Sequence, residues 1–197
     1  MQSLIDCIRA DVFEQTLVHM AGPYLDVARN VIVEKFYNDN CGEYLLFVDS
    51  DISFTPQNVY DLLDHATPDR ITSGVYYSYF GEFAELRPVL GRHIWDPKHQ
   101  RESIKPIVPR ILQDVDAEGL VRVDGCGAGF MLFHRNLVKE MLEVFGYPMP
   151  WFITQCIDKT QQWYGEDYMF CLRAAYLGYT TFAVPSVRVG HSKVVQL

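Results

Sequence analysis

The stretch Glu43-Tyr-Leu-Leu-Phe-Val-Asp49-Ser50-Asp51 joins a run of apolar residues to two carboxylates that lie one residue apart. An apolar run of this length is typical of a strand that is buried on both faces, as in a parallel sheet. Open α/β sheets bind ligands at the carboxyl ends of their strands, which is where Asp49 and Asp51 fall. Side chains i and i+2 of an extended chain point the same way, so both aspartates can face one Mg²⁺ or Mn²⁺ that holds a diphosphate.

The residues that follow extend this pattern into a strand, loop and helix unit. Thr55 suits the N-cap of a helix, and Pro56 suits its first turn. Val59, Leu62 and Leu63 then give the helix an apolar face that can cover the sheet. The alternative is that the two aspartates serve only the turn and the helix start, because aspartate is common at both.

Strands and helices alternate along most of the chain, which predicts an α/β fold with a mostly parallel central sheet flanked by helices. We predict a first strand at residues 3–8, a strand piece at residues 107–115, and a helix that Asn136 caps. The length of 197 residues suits a single domain.

Composition and charge exclude several classes of protein. A net charge of −8 argues against a nucleic-acid-binding surface, because phosphate backbones are bound by clustered lysine and arginine. Five cysteines without Cys-x-x-Cys spacing indicate neither a zinc site nor a complete disulfide framework, which favours a reducing cytosol. No apolar stretch is long enough to span a bilayer. We therefore expect a cytoplasmic protein with no transmembrane segment.

Arg29 stands out as a local inconsistency. It falls in the first turn of a predicted helix at residues 26–38, where a cation opposes the helix dipole. This conflict predicts that Arg29 has a phosphate or carboxylate partner, since a guanidinium group matches either one. The alternative is an exposed arginine in a surface ion pair.

Four segments together resemble the GT-A glycosyltransferases, in particular the family 2-like enzymes that use nucleotide-sugar donors. They are, in the order of the family, Ala28-Arg29-Asn30, Val48-Asp49-Ser50-Asp51, Gly125-Cys-Gly127-Ala-Gly129-Phe130 and Gly165-Glu166-Asp167, followed by Gly190-His191. The resemblance implies one Rossmann-like GT-A domain over residues 1–197. Residues 1–77 would form its nucleotide-binding half and residues 78–197 its acceptor-binding half.

The resemblance also implies a metal, a donor and an acceptor. The donor would be a nucleoside diphosphate-sugar, with UDP-sugar favoured, and the acceptor would be a hydroxyl of a glycan, lipid or protein. Asp51 and His191 would bind the divalent metal, with Asp49 reaching the metal or the ribose. Imidazole beside carboxylate favours Mn²⁺ over Mg²⁺. Without the resemblance, His191 would be interpreted as a structural or surface histidine.

By the same resemblance, Asp167 is the general base of an inverting transfer, and Glu166 positions the base or the acceptor. A useful base needs a pKa raised towards working pH, although the dipole of a helix N-terminus lowers it. Burial or the neighbouring charge of Glu166 would therefore have to dominate. The alternative is that both acids are ordinary partners of the helix dipole.

The remaining site residues follow from position in the motifs. Donor contacts are predicted at Asp49, Ser50 and Arg29. The first strand departs from the family because it lacks the Pro-Thr turn that cups the nucleobase, and Asp6 and Arg9 are the candidates for contacts with the base in its place. The glycines of the third motif allow a sugar to approach the backbone closely, although a simple tight turn would explain them too. Aromatic side chains that could stack on sugars include Tyr76, Tyr77 and Trp163. The predicted acceptor residues are Gly127, Ala128, Gly129 and Trp163.

Three other functions compete with this interpretation. A retaining transferase on the same fold is the nearest, and a non-catalytic carbohydrate-binding module is the next. A module that binds no metal would not need the acid pair or His191. A sugar-nucleotide pyrophosphorylase would share the α/β layout, but its N-terminal Gly-rich phosphate loop is missing from this sequence.

Overall fold

A five-stranded mixed sheet with helices on both faces organises the computed structural model of the chain. The structure describes residues 2–13, 24–40, 42–80, 85–96, 101–148, 150–156 and 163–192. The helices are α1 (Gln2–Arg9), α2 (Leu25–Asp39), α3 (Pro56–Leu63), α4 (Arg135–Phe145) and α5 (Glu166–Tyr176), with a 3₁₀ helix at Pro109–Gln113. The strands are β1 (Tyr44–Val48), β2 (Ile52–Ser53), β3 (Arg70–Val75), β4 (Tyr77–Phe80), β5 (Glu85–Pro88), β6 (Leu90–Asp96), β7 (Arg101–Pro106), β8 (Val121–Val123), β9 (Gly125–Cys126), β10 (Phe130–His134), β11 (Gln155–Cys156), β12 (Trp163–Tyr164), β13 (Thr180–Arg188) and β14 (Gly190–His191).

The central sheet has the order β1-β10-β3-β13-β8, and three of its four neighbouring pairs are antiparallel. Within this sheet, β3 and β13 form the parallel pair. The prediction of a mostly parallel sheet is therefore wrong. An apolar run indicates that both faces of a strand are covered, but it does not fix the direction of the neighbours. β1 lies at the sheet edge, yet Leu46 and Phe47 pack into cores on opposite faces.

Two apolar cores cover the two faces of this sheet. On one face, α2, α4 and α5 contribute Phe36, Met141 and Phe170 to a core that also contains Phe47. On the other face, α1 and α3 contribute Cys7, Val59 and Leu62. Within the described residues, no helix combines the length and the apolar composition needed to cross a bilayer.

Three local predictions are wrong for identifiable reasons. Residues 3–8 belong to α1 and not to a strand, because a short apolar run alone does not distinguish the two. Residues 107–115 contain the 3₁₀ helix, where Pro109 lacks the N–H group that a strand ladder needs. The helix predicted to have Asn136 as its N-cap is α4, which begins at Arg135, because His134 takes the capping role: Nδ1 of His134 accepts a hydrogen bond from the Asn136 N–H (3.1 Å).

The predicted unit of strand, acid pair, loop and helix is confirmed. Thr55 is the N-cap of α3, and its Oγ1 accepts a hydrogen bond from the Asn58 N–H (3.3 Å). The Asn58 side chain accepts one in return from the Thr55 N–H (2.9 Å), which completes a capping box, and Pro56 is the first helical residue. The start of α3 is thereby fixed, and the loop that carries both aspartates is held between two defined elements.

Candidate active site

The turn after β1 connects the acid pair to the glycine-rich segment and to His191. The Asp49 N–H donates to the Gly129 carbonyl (3.0 Å), and the Ile52 N–H donates to the Asp49 carbonyl (3.1 Å). The second bond closes a turn that contains the exposed Ser50. β2 then pairs with β14, and His191 lies opposite Ile52. A ladder of two residues on each strand therefore places His191 beside the acid pair.

The imidazole of His191 is held between a carbonyl and a carboxylate. Nδ1 lies 2.8 Å from the carbonyl oxygen of Tyr77, and Nε2 lies 3.0 Å from Oδ2 of Asp51. A carbonyl can only accept, so Nδ1 carries a proton and donates it to Tyr77. In the neutral ring, Nε2 is then an acceptor that faces a second acceptor, and the contact requires a proton or a metal cation between them. Histidine ligands of metals have this arrangement, with the other ring nitrogen bonded to a carbonyl or carboxylate.

Asp51 and His191 are close enough together that they could share one metal ion, since His191 Nε2 lies 3.0 Å from Oδ2 of Asp51. In the part of the chain that the structure describes, no group of three or more His, Cys, Asp or Glu side chains is arranged to hold a metal. Both oxygens of Asp49 face Arg29 instead, at 3.1 and 3.2 Å from its Nη2. The residues present fit a divalent ion that takes its other ligands from diphosphate and water, as Mg²⁺ and related ions commonly do.

Arg29 is buried in α2 and connects the acid pair to α5. Its side chain is 5% exposed, and its Nη1 donates to Oε1 of Glu166. One guanidinium group thus pairs with both Asp49 and Glu166, which come from two separate elements, and leaves one net negative charge on the three groups. The prediction that this arginine has a phosphate or carboxylate partner is confirmed, since both partners are carboxylates. Its Nε has no hydrogen-bond acceptor among the described residues.

Asn30 anchors α2 at the same level. Its Nδ2 donates to the carbonyl oxygens of Asp26 (2.7 Å) and Phe152 (2.6 Å). Its Oδ1 accepts hydrogen bonds from the Trp151 N–H (3.4 Å) and the Phe152 N–H (3.3 Å). The Arg29 guanidinium lies 5.8 Å from the centre of the Phe152 ring. Asn30 therefore holds the backbone of Phe152, whose ring packs beside the Arg29 guanidinium, so the Ala28-Arg29-Asn30 motif has a packing role.

Asp167 lies next to Glu166 in the first turn of α5. Its Oδ1 accepts a hydrogen bond from the Tyr168 N–H (2.8 Å). Burial, and after it the negative charge of Glu166, raises the pKa of Asp167 to about 6, while the charge of Arg29 acts in the opposite direction. Burial therefore outweighs the charge of Arg29 and the backbone hydrogen bonds at the start of α5, both of which lower the pKa. This carboxyl is ionised at neutral pH and still has appreciable affinity for a proton.

The glycine-rich segment packs against tyrosine side chains. A Cβ atom at Gly127 would lie 2.1 Å from the hydroxyl oxygen of Tyr76, and a Cβ atom at Gly125 would lie 2.5 Å from the Tyr168 ring. The Gly129 N–H donates to the Tyr76 hydroxyl (3.0 Å), and Ala128 is buried in the core. Tyrosine packing is sufficient to explain the missing side chains. A role of Gly127, Ala128 and Gly129 in binding the acceptor stays a prediction.

Three other predicted residues lie outside this network of contacts. Asp6 is on α1, where its carboxylate accepts a hydrogen bond from Gln2 (2.7 Å), and Arg9 ends the same helix. Trp163 is 68% exposed in β12, two residues before Gly165. No hydrogen bond or ion pair between described residues joins Asp6, Arg9 or Trp163 to the acid pair, so their roles stay predictions.

Sequence reasoning did not find the position of Tyr76. It was one of several aromatic residues that could stack on a sugar, but it is only 6% exposed, and its ring meets the His191 ring edge-on at 5.4 Å. Burial raises the pKa of Tyr76 well above its ordinary value, and the charges of Asp167 and Asp49 add to this effect. The hydroxyl is therefore neutral. The available signal was that Tyr76 directly follows the buried strand β3, which favours an enclosed side chain.

Comparison with known proteins finds structural but not sequence similarity. No protein-family profile matches the chain, and no curated protein sequence matches it significantly. The crystal structure of A197 from STIV is similar with a TM-score of 0.55 and 18% identity, over 98% of this chain and 79% of A197. The crystal structure of GalNAc-T7 with UDP, GalNAc and Mn²⁺ is similar with a TM-score of 0.53 and 18% identity, over 87% of this chain and 31% of GalNAc-T7. The chain thus has a glycosyltransferase-like fold.

Proposed function

We propose that this chain is a metal-dependent glycosyltransferase of the family 2-like type. It would move a sugar from a nucleoside diphosphate-sugar, with UDP-sugar favoured, to a hydroxyl of a glycan, lipid or protein. The observation that carries the proposal is the contact of His191 Nε2 with Asp51 Oδ2, where two acceptors meet and a cation would satisfy both. The similarity to GalNAc-T7, whose structure contains UDP and Mn²⁺, supports the same reaction class.

Asp51 and His191 would hold the metal, and Asp49 would bind the donor ribose or reach the metal. A bound divalent metal acts as a Lewis acid that neutralises the charge developing on the leaving diphosphate. Imidazole and carboxylate together favour Mn²⁺ over Mg²⁺. The hydrogen bond from His191 Nδ1 to the Tyr77 carbonyl supports this role, because it directs the Nε2 lone pair towards Asp51.

Asp167 would be the general base of an inverting transfer. Its carboxylate takes the proton of the acceptor hydroxyl as the acceptor oxygen bonds to the anomeric carbon and the bond between that carbon and the diphosphate oxygen breaks. A pKa of about 6 supports this role, because the group is ionised at neutral pH and can still accept a proton. Glu166, paired with Arg29, would keep this end of α5 in place and orient the acceptor.

Other contacts are proposed from chemistry and position. Arg29 would contact a donor phosphate, because a guanidinium group matches phosphate oxygens, and the phosphate would take the place of the Asp49 carboxylate at Nη2. Ser50 would contribute to the same donor half, at residues 1–77, and Asp6 and Arg9 would contact the nucleobase. In the acceptor half, at residues 78–197, the exposed Trp163 suits stacking on a sugar. The backbone at residues 127–129 would approach that sugar.

A thermal-shift panel of nucleoside diphosphate-sugars, with and without Mn²⁺, tests the donor and the metal together. A ligand that binds only the folded state at 100 times its Kd stabilises the protein by about 2.7 kcal/mol. We expect a UDP-sugar to raise Tm only when Mn²⁺ is present. Asp51→Asn should abolish that shift, and His191→Ala should weaken it, because each removes a metal ligand.

The exposed carboxylate of Asp64, at the end of α3, provides a matched control. Asp64→Asn removes one negative charge away from the acid pair and should respond as the wild-type protein does. A Tm shift that survives in Asp51→Asn would contradict the metal assignment. The absence of a shift with every sugar nucleotide would contradict the donor class.

A further inference from the structure

Tyr76 lies between the turn that carries Asp49 and Asp51 and the imidazole of His191. It lies between the end of β3 and the start of β4, and its carbonyl accepts a hydrogen bond from the Val89 N–H (3.0 Å). The Val89 carbonyl in turn accepts one from the Gly127 N–H (3.0 Å). The preceding residue, Val75, accepts a hydrogen bond from the Val189 N–H (3.0 Å). Backbone hydrogen bonds on both sides therefore set the direction of this side chain.

The hydroxyl group of Tyr76 connects to Asp49 through one peptide unit. It accepts the hydrogen bond from the Gly129 N–H (3.0 Å), and the carbonyl of Gly129 accepts the bond from the Asp49 N–H (3.0 Å). Gly129 is buried, so its N–H would lose its acceptor if the hydroxyl were removed. A movement of this glycine would carry over to the start of the acid-pair turn.

The ring of Tyr76 and the following carbonyl act on His191. The two rings meet at 73° with their centres 5.4 Å apart, so the tyrosine forms one wall beside the imidazole. The carbonyl of Tyr77, one residue further on, accepts the hydrogen bond from His191 Nδ1 (2.8 Å). Two adjacent residues thus restrict both the position and the tautomer of the imidazole.

Close contact at the glycines shows that the tyrosine fits this space tightly. A Cβ atom at Gly127 would lie 2.1 Å from the Tyr76 hydroxyl, and one at Gly129 would lie 2.9 Å from it. Real Cβ atoms do not approach other atoms so closely, so any side chain at Gly127 would displace the phenol group. Residues 127 and 129 therefore need to be glycine so that the Tyr76 side chain can pack against this segment.

We propose that Tyr76 is the positioning residue of the metal site. Its hydroxyl holds the glycine segment and, through Gly129, the turn of Asp49, while its ring confines His191. The inference rests on the proposed metal function of Asp51 and His191. Tyr76 itself is not a metal ligand; it acts by aligning the groups that bind metal and donor, as outer-shell partners of metal sites do.

Mn²⁺ titration of the purified protein tests this role without any knowledge of the sugar. Bound Mn²⁺ loses the EPR signal of the free aqueous ion, so the dissociation constant can be measured directly. Tyr76→Phe keeps the ring and removes only the hydroxyl. We expect it to weaken Mn²⁺ binding by up to about 10-fold, the low end of the range for outer-shell partners, because the hydroxyl reaches Asp51 only through Gly129 and the turn that begins at Asp49.

Tyr179→Phe is the matched control. The Tyr179 hydroxyl donates to Oε1 of Glu140 (2.9 Å), so the control also loses one hydroxyl hydrogen bond of a partly enclosed tyrosine. Weaker Mn²⁺ binding in Tyr76→Phe and unchanged binding in Tyr179→Phe support the inference. Equal affinities in the two variants, whether lowered or unchanged, overturn it. If the wild-type protein binds no Mn²⁺ either alone or with UDP present, the proposed metal site fails as well, which distinguishes the two failures.

Discussion

Arg29 binds two carboxylates in a buried position, so it should tolerate replacement poorly. Removing one partner of a buried ion pair costs about 3–5 kcal/mol, and we expect Arg29→Leu to reduce the free energy of unfolding by that amount. Arg29→Lys should lose less of this free energy, because an ammonium group keeps the positive charge. Some loss should remain, because lysine has no planar fork that reaches Asp49 and Glu166 together. Urea unfolding of both variants measures the difference.

Arg70 offers a control for this prediction. It forms an ion pair with Glu118 (2.8 Å), and although the Arg70 side chain is 18% exposed, the Glu118 side chain is 59% exposed, so solvent screens the pair. Exposed pairs contribute about 0–1 kcal/mol, so Arg70→Lys should change stability little. If Arg29→Leu and Arg70→Lys gave the same small loss, Arg29 would not be the electrostatic link between α2 and α5.

Asp167→Asn tests whether Asp167 acts as a base, because the substitution keeps the shape of the side chain and removes its basicity. Asparagine has nearly the same size but cannot take a proton from the acceptor, so turnover should fall by roughly 10² to 10⁴. Wild-type activity should decline as pH falls through about 6, because Asp167 becomes protonated there, and this acidic limb should disappear in the variant. Steady-state kinetics from pH 5 to 8 checks both expectations. Near-normal turnover of Asp167→Asn would exclude Asp167 as the base, and a product of retained configuration by NMR would favour the retaining alternative.

At the scale of single residues, the sequence indicated what kind of environment a side chain needs but not which residues supply it. The position of Arg29 at a helix start indicated that it needs an anion, and the position of Asp167 indicated that burial or Glu166 must raise its pKa. Both requirements are met. The identity of the partner was not predictable, because Arg29 and Glu166 are 137 residues apart and meet only in the folded chain.

Local elements were predictable where their signals are local. The unit of β1, acid-pair turn and α3 depends on an apolar run, a cap and a proline, all within residues 44–63. The pairing of β2 with β14 has no such signal, because each strand is two residues long and their partners are distant in sequence. The prediction of strand direction was wrong for the same reason. β10 lies between β1 and β3 and runs antiparallel to both, and no local sequence signal indicates these pairings.

The capping box of α3 should determine how firmly this local unit is held. Thr55→Ala removes the side-chain acceptor of the Asn58 N–H and should destabilise the protein by about 1 kcal/mol. Thr55→Ser keeps the hydroxyl and should retain most of the stability. Chemical denaturation of the two variants measures the difference. Equal stability of the alanine and serine variants would show that the cap does not stabilise the helix.

On the scale of the whole molecule, a glycosyltransferase-like fold could be inferred from four short motifs although no family profile matches the sequence. Residues of these motifs come from distant parts of the sequence and contact one another in the folded chain, as Arg29 contacts Asp49 and Glu166. The direction of the sheet and the enclosure of Tyr76 depend on packing across the molecule. They were accordingly the features that the sequence did not reveal.

The raised pKa of Asp167 should also appear in the stability of the whole protein. Its pKa is about 6 in the folded state against an ordinary 3.8, so the folded state binds the proton more tightly. The ionisation of Asp167 should therefore remove stability as pH rises from about 3.8 to about 6, and this contribution is about 3 kcal/mol at about 1.4 kcal/mol per tenfold change in proton affinity.

Asparagine cannot ionise, so Asp167→Asn lacks this loss, and its stability relative to wild type should increase from pH 4 to pH 8. Urea unfolding at the two pH values measures the change, with Asp64→Asn as the control for removing a carboxylate. The variant would then be the more stable protein at pH 8 and the poorer enzyme, as expected when a buried charge is kept for its chemistry. Parallel pH profiles of Asp167→Asn and wild type would mean that burial does not raise this pKa, and the assignment of Asp167 as a base would lose its electrostatic support.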